Sequence, residues 1–151
     1  MFSSLFNDNR KKIYNFQNFN LQLFLENGWI EYIDDDKKKY SLPLAFFKET
    51  NGVGALQISV LTLENGKIFD IDQILKKNGQ SNLKINKYKF KEWIVYECEK
   101  SDHNRVFKYS YLVNSNFLVY ATYNYNIENF SEKELQEAIK IIKTIEVFLK
   151  D

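Results

Sequence analysis

The stretch FKYSYLVNSNFLVYATYNYN, Phe107 to Asn126, constrains the fold more than any other part of the chain. Aromatic and β-branched residues alternate with polar ones on both sides of Asn114-Ser115-Asn116, the period-2 pattern of two strands joined by a tight turn. So many rings in one short segment need either a buried sheet face or a partner. The spacing predicts a hairpin with a three-residue loop, so that like parities of the two strands face the same way. Phe107, Tyr109, Tyr111, Val113, Phe117, Val119, Ala121, Tyr123 and Tyr125 then share an apolar face. Lys108, Ser110, Leu112, Leu118, Tyr120, Thr122 and Asn124 share the other. A two-residue loop would mix the faces and expose rings, so burial favours the first register.

More strand patterns surround this hairpin. Phe19, Leu21, Leu23 and Leu25 lie on one face of a strand that ends at Glu26-Asn27-Gly28, and a second strand starts at Trp29. YSLPLAFF and VGALQISVLTL flank Asn51-Gly52, a dipeptide that predicts a type I′ hairpin turn. Pro43 cannot donate to a ladder, which predicts an edge strand or a bulge. Both parities of Ala55–Leu63 are largely apolar, which predicts a strand covered on both faces. Leu83 and Ile85 sit on one parity, Tyr88 and Phe90 on the other, so a bulge is expected near Asn86-Lys87. WIVYECE follows and leads into a turn at Ser101-Asp102-His103-Asn104.

Two helices are expected. Asp70 caps a short one with Gln73 in capping-box position, Ile71, Ile74 and Leu75 form its apolar stripe, and Asn78-Gly79 stop it. Ser131 and Glu134 open a longer one, with Leu135, Ala138, Ile139, Ile142, Ile145 and Leu149 at helical spacing. Lys133, Glu137, Lys140 and Lys143 form its polar side. The expected fold is α+β: an antiparallel β-sheet with a short middle helix and a long C-terminal helix packed on it. One domain, 1–151, fits 151 residues with 44% hydrophobic content. Residues 1–12 are polar and are read as a loose N-terminal arm or a short helix.

Charge and cysteine usage narrow the function. A net charge of +1 lacks the basic excess of a nucleic-acid binder. The single cysteine, Cys98, excludes an intrachain disulfide. No apolar run is long enough to cross a bilayer, and the start MFSSLFNDNRKK lacks the apolar core of a signal peptide, so a cytoplasmic location is expected.

The chemistry-bearing residues read as structural. His103 beside Asp102 lacks a held nucleophile and reads as a solvated turn. Cys98 shares its parity with Ile94 and Tyr96 and reads as a buried thiol. Asp34-Asp35-Asp36 lacks the alternating ligands of a calcium loop and is followed by three lysines, so it reads as a solvated, charge-compensated turn. Asn51-Gly52-Val53-Gly54 lacks the Lys-Ser/Thr of a P-loop. Lys87, Lys89 and Lys91 alternate with Tyr88 and Phe90, and read as protection of an edge strand. No catalytic residue, cofactor or metal is expected.

The segment WIEYIDDDKKKYSLPLAFFKETNGVGALQIS, Trp29 to Ser59, resembles uncharacterised bacterial members of the PsbP-like fold in its Trp-led strand pair, acidic turn and G-x-L-Q-I-S strand. Trp93 and the amphipathic C-terminal helix sit where that pattern places them. LENGW departs from it, because related sequences often carry Pro before the turn. The resemblance implies an antiparallel sheet with helices on its faces, and proteins that act as binding subunits, adaptors or chaperones. The expected function is a non-enzymatic bacterial protein-binding domain, possible forms being an immunity protein or a secretion-system adaptor or chaperone. Its partner is then a toxin, an effector or a complex subunit. Tyr120, with Lys108 and Thr122, is the candidate anchor, because tyrosines are common at interface centres. The competing expectation is a small-molecule-binding or enzymatic domain with a pocket between sheet and helix.

Overall fold

A computed structural model describes residues 10–33, 41–63, 69–80 and 82–150. The chain runs β1 (Lys11–Asn15), β2 (Phe19–Phe24), β3 (Trp29–Glu31), β4 (Leu44–Lys48), β5 (Gly54–Thr62), α1 (Ile71–Lys77), β6 (Asn86–Phe90), β7 (Trp93–Asp102), β8 (Arg105–Val113), β9 (Phe117–Asn126), a 3₁₀ turn (Ile127–Asn129), α2 (Glu132–Lys143) and β10 (Glu146–Leu149). Among the described residues, seven strands form one sheet in the order β3-β4-β5-β9-β8-β7-β6, and three form another in the order β1-β2-β10. Every pairing is antiparallel.

The core lies between the two sheets and α2. Leu56, Ile58 and Val60 of β5 and Val119, Ala121 and Tyr123 of β9 supply one wall. Leu21 and Leu23 of β2, and Leu135, Ala138, Ile141 and Ile142 of α2, supply the others. Removing the Val, Leu and Ile side chains among these from water stabilises the fold by about 1.5–3 kcal/mol each. The predicted period-2 face of β2 is present: Phe19, Leu21, Leu23 and Leu25 are all buried.

Several expectations change. Lys11 and Lys12 belong to β1, which pairs with β2 from Lys11↔Phe24 to Asn15↔Asn20, so they are not a loose arm. Residues 1–9 lie outside the described set, as do Asp34-Asp35-Asp36 and the lysines after them. Pro43 lies just before β4, an interior strand, so its missing N–H costs no ladder bond. Asn51 has positive φ (57°) but Gly52 does not, so the β4–β5 connection is not a type I′ turn. β5 is covered on one face: Leu56, Ile58 and Val60 are buried, whereas Gln57 and Leu61 are exposed. Leu83 and Ile85 precede β6 in an irregular segment, so their parity switch needs no bulge.

The hairpin register is the largest change. Val113 pairs with Leu118 and Tyr111 with Tyr120, the register of a two-residue loop. Asn114 sets it: its Oδ1 accepts from the N–H groups of Asn116 (2.9 Å) and Phe117 (2.8 Å), while its own N–H bonds the Phe117 carbonyl. This side-chain turn closes the loop one residue earlier than burial alone suggested.

Helix α2 is also shorter than its apolar spacing predicts. Ser131 Oγ accepts from the Glu134 N–H, acids occupy the first turn and lysines the last. The helix ends after twelve residues at Lys143. Thr144 Oγ1 donates to the Ile141 carbonyl (2.7 Å) and accepts from the Phe24 N–H (2.9 Å). The chain then extends, and β10 pairs with β2 from Glu146↔Gln22 to Leu149↔Phe19. Leu149 belongs to this strand and is exposed.

Glu134 does not close a capping box. Its carboxylate is buried and accepts from the Val53 N–H (3.0 Å), the Gly54 N–H (2.8 Å) and the Tyr123 hydroxyl (2.5 Å). Glycine is required at position 54, because a Cβ there would lie 2.5 Å from the Asn124 carbonyl oxygen and 2.7 Å from the Tyr123 ring. Replacing Glu134 with Ala orphans two backbone donors and a phenol and should cost about 3 kcal/mol or more. Urea unfolding of the two proteins measures this, and Gly54→Ala should shift the midpoint in the same direction.

Candidate functional site

The hairpin register divides the rings between two faces. On the α2 side, Phe117, Val119, Ala121, Tyr123 and Tyr125 line up with Val106, Lys108, Ser110 and Leu112. On the outer side, Leu118, Tyr120, Thr122 and Asn124 line up with Val113, Tyr111, Tyr109 and Phe107. The predicted candidates therefore separate. Tyr120 and Thr122 share the outer face. Lys108 stands on the opposite one, in an ion pair with Glu99, its cross-strand partner in β7. Sequence reasoning placed Phe107 and Tyr109 in the core because it assumed the wrong loop length.

On the outer face four rings stack in sequence. Phe107 and Tyr109 have centroids 6.3 Å apart at 22°, Tyr109 and Tyr120 6.1 Å apart at 18°, and Tyr120 and Tyr111 4.8 Å apart at 4°. Such offset pairs each contribute about 0.5–1.5 kcal/mol beyond area burial. One end of the stack is covered. Asp70 Oδ1 accepts from the Gln73 N–H (3.2 Å) and starts α1, while Asn78 caps its end and Gly79 turns the chain at φ 72°. The helix drives Leu75 onto Tyr111 and Leu118, with Ile71, Ile74 and Phe69 around them.

The segment after α1 brings polar groups to the rings. The Tyr111 hydroxyl donates to Gln80 Oε1 and accepts from Asn78 Nδ2 (3.2 Å). Gln80 is buried. No sequence motif announces Gln80; the stop signal Asn78-Gly79 beside it was the nearest clue. The other end of the face extends beyond this cluster. Gln57, Thr122 and Tyr109 form one cross-strand row there, and Ala55, Asn124 and Phe107 the next. Gln57 is exposed, and Phe107, Tyr109, Thr122 and Asn124 are half-buried. Arg105 donates two hydrogen bonds to Asn124 Oδ1, at 2.6 and 3.2 Å.

Two spaces bear on a ligand pocket. The crevice between α2 and the sheet, bounded by Tyr88, Phe90, Glu97 and Ile139, holds about 10 Å³, the room of one water. A cleft of about 500 Å³ lies between β1 and β3, among Lys12, Tyr14, Trp29, Glu31 and Ile33. The Tyr14 hydroxyl donates to Glu31 Oε1 across it (2.8 Å). His103 is almost fully exposed in a two-residue turn with φ 57°, 3.5 Å from Asp102. Among the described residues no three His, Cys, Asp or Glu side chains converge as metal ligands.

Burial controls the titrating groups. Burial raises the Cys98 thiol. The Tyr88, Tyr111 and Tyr123 phenols rise well above the ordinary value of about 10. Burial is the main cause in each. Carboxylates accepting from the phenol add to it, Glu97 for Tyr88 and Glu134 for Tyr123. Burial also pushes Glu137 up, but bonds from Lys48 (3.0 Å) and Trp29 Nε1 (3.2 Å) outweigh it and hold its carboxyl below the usual range.

No known sequence family matches the chain, and no curated protein matches it either. Solved structures do. A protein of Bacteroides thetaiotaomicron superposes with a TM-score of 0.55 at 17% identity, covering 87% of this chain and 45% of its own. The present chain thus spans less than half of that protein. The cyanobacterial PsbP (CyanoP) of Synechocystis sp. PCC 6803 also gives 0.55, at 10% identity over 92% of this chain and 93% of CyanoP. LpqN of Mycobacterium tuberculosis, a protein involved in cell envelope biogenesis, gives 0.55 at 10% identity over 91% and 90%. The chain has an α+β PsbP-like fold built on antiparallel sheets. Among the described residues no helix is long and apolar enough to cross a membrane.

The raised phenols link stability to alkaline pH. The native state holds these protons more tightly than the unfolded chain. Their contribution is complete below about pH 10 and is lost as pH rises from there through the native values. Absorbance titration at 295 nm should show Tyr88, Tyr111 and Tyr123 ionising only on unfolding. Cys98 should react with a thiol reagent slowly in the native protein and at once in urea, since its thiolate is both buried and disfavoured.

Proposed function

We propose that this chain is a non-enzymatic bacterial protein-binding domain that engages its partner through the outer face of the large sheet. An immunity protein or a secretion-system adaptor or chaperone is the most concrete form, with a toxin, effector or complex subunit as partner. The observation that carries the reading is that α2 packs on the opposite face. Helix α1 shields the Tyr111 end, while Phe107, Tyr109, Thr122 and Asn124 are left half-buried. Tyrosines with ordered rings suit interface anchors, because they supply contact area at low entropic cost. Tyr120 sits between the covered and the open part, so it both supports the face and borders the contact. A cytoplasmic location belongs to the same proposal, supported by the unpaired cysteine.

The second reading is a small-molecule site, favoured by the cleft between β1 and β3. The crevice under α2 does not support the predicted pocket between sheet and helix, because it has no room for a ligand.

A photo-cross-linking residue placed at Thr122 should trap one defined protein in the native host, whereas the same residue at Lys133, on the exposed side of α2, should not. With that partner purified, Thr122→Arg should weaken binding by about tenfold or more while leaving the unfolding midpoint unchanged, as expected for a change at an interface centre. Equal trapping from both positions would remove the outer face as the contact.

A further inference from the structure

Strand parity sorts the charges of the large sheet as well as its apolar residues. Lys87 and Lys89 of β6 align with Tyr96 and Ile94 on the outer face. Lys100 of β7 aligns there with Phe107, and Arg105 of β8 with Asn126. All four cations are exposed. The acids of the same strands, Glu97 and Glu99, point to the α2 side, where they meet Tyr88 and Lys108. Among the described strand residues of the outer face, Asp102 at the rim is the single acid. Helix α1, on the same side, adds Asp70 and Asp72, balanced by Lys76 and Lys77. A chain of net charge +1 therefore carries one distinctly basic face.

The rings between these cations decide which anion fits. A single nucleic-acid strand binds by laying its bases on free aromatic faces. Here Phe107, Tyr109, Tyr120 and Tyr111 stack on one another, and Lys87 Nζ lies over the Tyr96 ring at 5.5 Å. Tyr111 is buried beneath α1, and stacking takes up faces of Phe107, Tyr109 and Tyr120, which leaves mainly their edges to a ligand. Ring edges flanked by cations suit side chains of a polypeptide that carries carboxylates. We infer that the outer face docks an acidic segment of the partner protein, with its carboxylates meeting Lys87, Lys89, Lys100 and Arg105 around Phe107 and Tyr109. This rests on the outer face being the contact surface.

The test uses the full chain, ¹⁵N-labelled, with poly-L-glutamate, oligothymidylate and poly-L-lysine as separate titrants at low salt. Poly-L-glutamate should shift the amides of β6 to β9 around Lys100, Phe107 and Thr122, and salt should weaken its binding. The double variant Lys87→Gln/Lys100→Gln should lower the affinity by about tenfold or more without moving the unfolding midpoint, as for exposed complementary charges. Oligothymidylate binding as tightly to the same amides would overturn the inference in favour of nucleic acid. Absence of poly-L-glutamate binding, or binding mapped to α2, would also overturn it. If that occurs while the cross-link from Thr122 persists, the acidic segment is wrong and the face is right. If the cross-link is absent as well, the face itself is wrong.

Discussion

The buried carboxylate of Glu134 is the constraint on which the arrangement of layers depends. An ionised acid removed from water costs several kcal/mol unless its lone pairs are met. Here the Val53 and Gly54 N–H groups and the Tyr123 hydroxyl meet them. These donors come from the end of the β4–β5 connection, the start of β5 and β9, so the first turn of α2 can sit in one place. Glu137, one turn later, repeats the device with Lys48 and Trp29 from β4 and β3. Two acids on one side of a helix thus tie α2 to β3, β4, β5 and β9. Gly54 permits it, because a side chain there would push against Tyr123 and Asn124.

With α2 held on that face, its length follows. Thr144 binds both the Ile141 carbonyl and the Phe24 backbone, so the chain leaves the helix where β2 can pair with it. The small sheet then closes the core from the other side. The opposite face of the large sheet is left to α1, a helix of seven residues. It is long enough to cover Tyr111 and Leu118 but not the rows of Thr122 and Asn124. The part of the sheet proposed as a contact surface is therefore a consequence of where the two carboxylates put the larger helix.

Structural neighbours at 10–17% identity establish the fold and leave the chemistry to this chain's own residues. What distinguishes the outer face is a combination: rings stacked on one another, a buried amide holding the Tyr111 hydroxyl, and cations that outnumber the acids. The first two properties make the face rigid. The third gives it a sign that the net charge of the chain hides.

Local signals determined much of this protein. Alternation placed β2, β7, β8 and β9, and Ser131 and Asp70 placed the starts of both helices, because a cap or a period-2 pattern acts through neighbours in sequence. Cys98 was legible for the same reason: its parity neighbours are apolar, and it is buried. Tertiary structure decided the rest. The hairpin register turned on one Asn114 side chain, and one residue of slip exchanged Lys108 for Tyr109 as the neighbour of Thr122. The apolar spacing through Leu149 read as helix because Ile145 and Leu149 fit either period; pairing with β2 settled it as strand. Glu134 read as half of a capping box because its real partners, Val53 and Gly54, lie about eighty positions away. Interactions between near neighbours are written in the order of residues, whereas the partners of a buried charge and the register of a sheet depend on which distant groups arrive beside them.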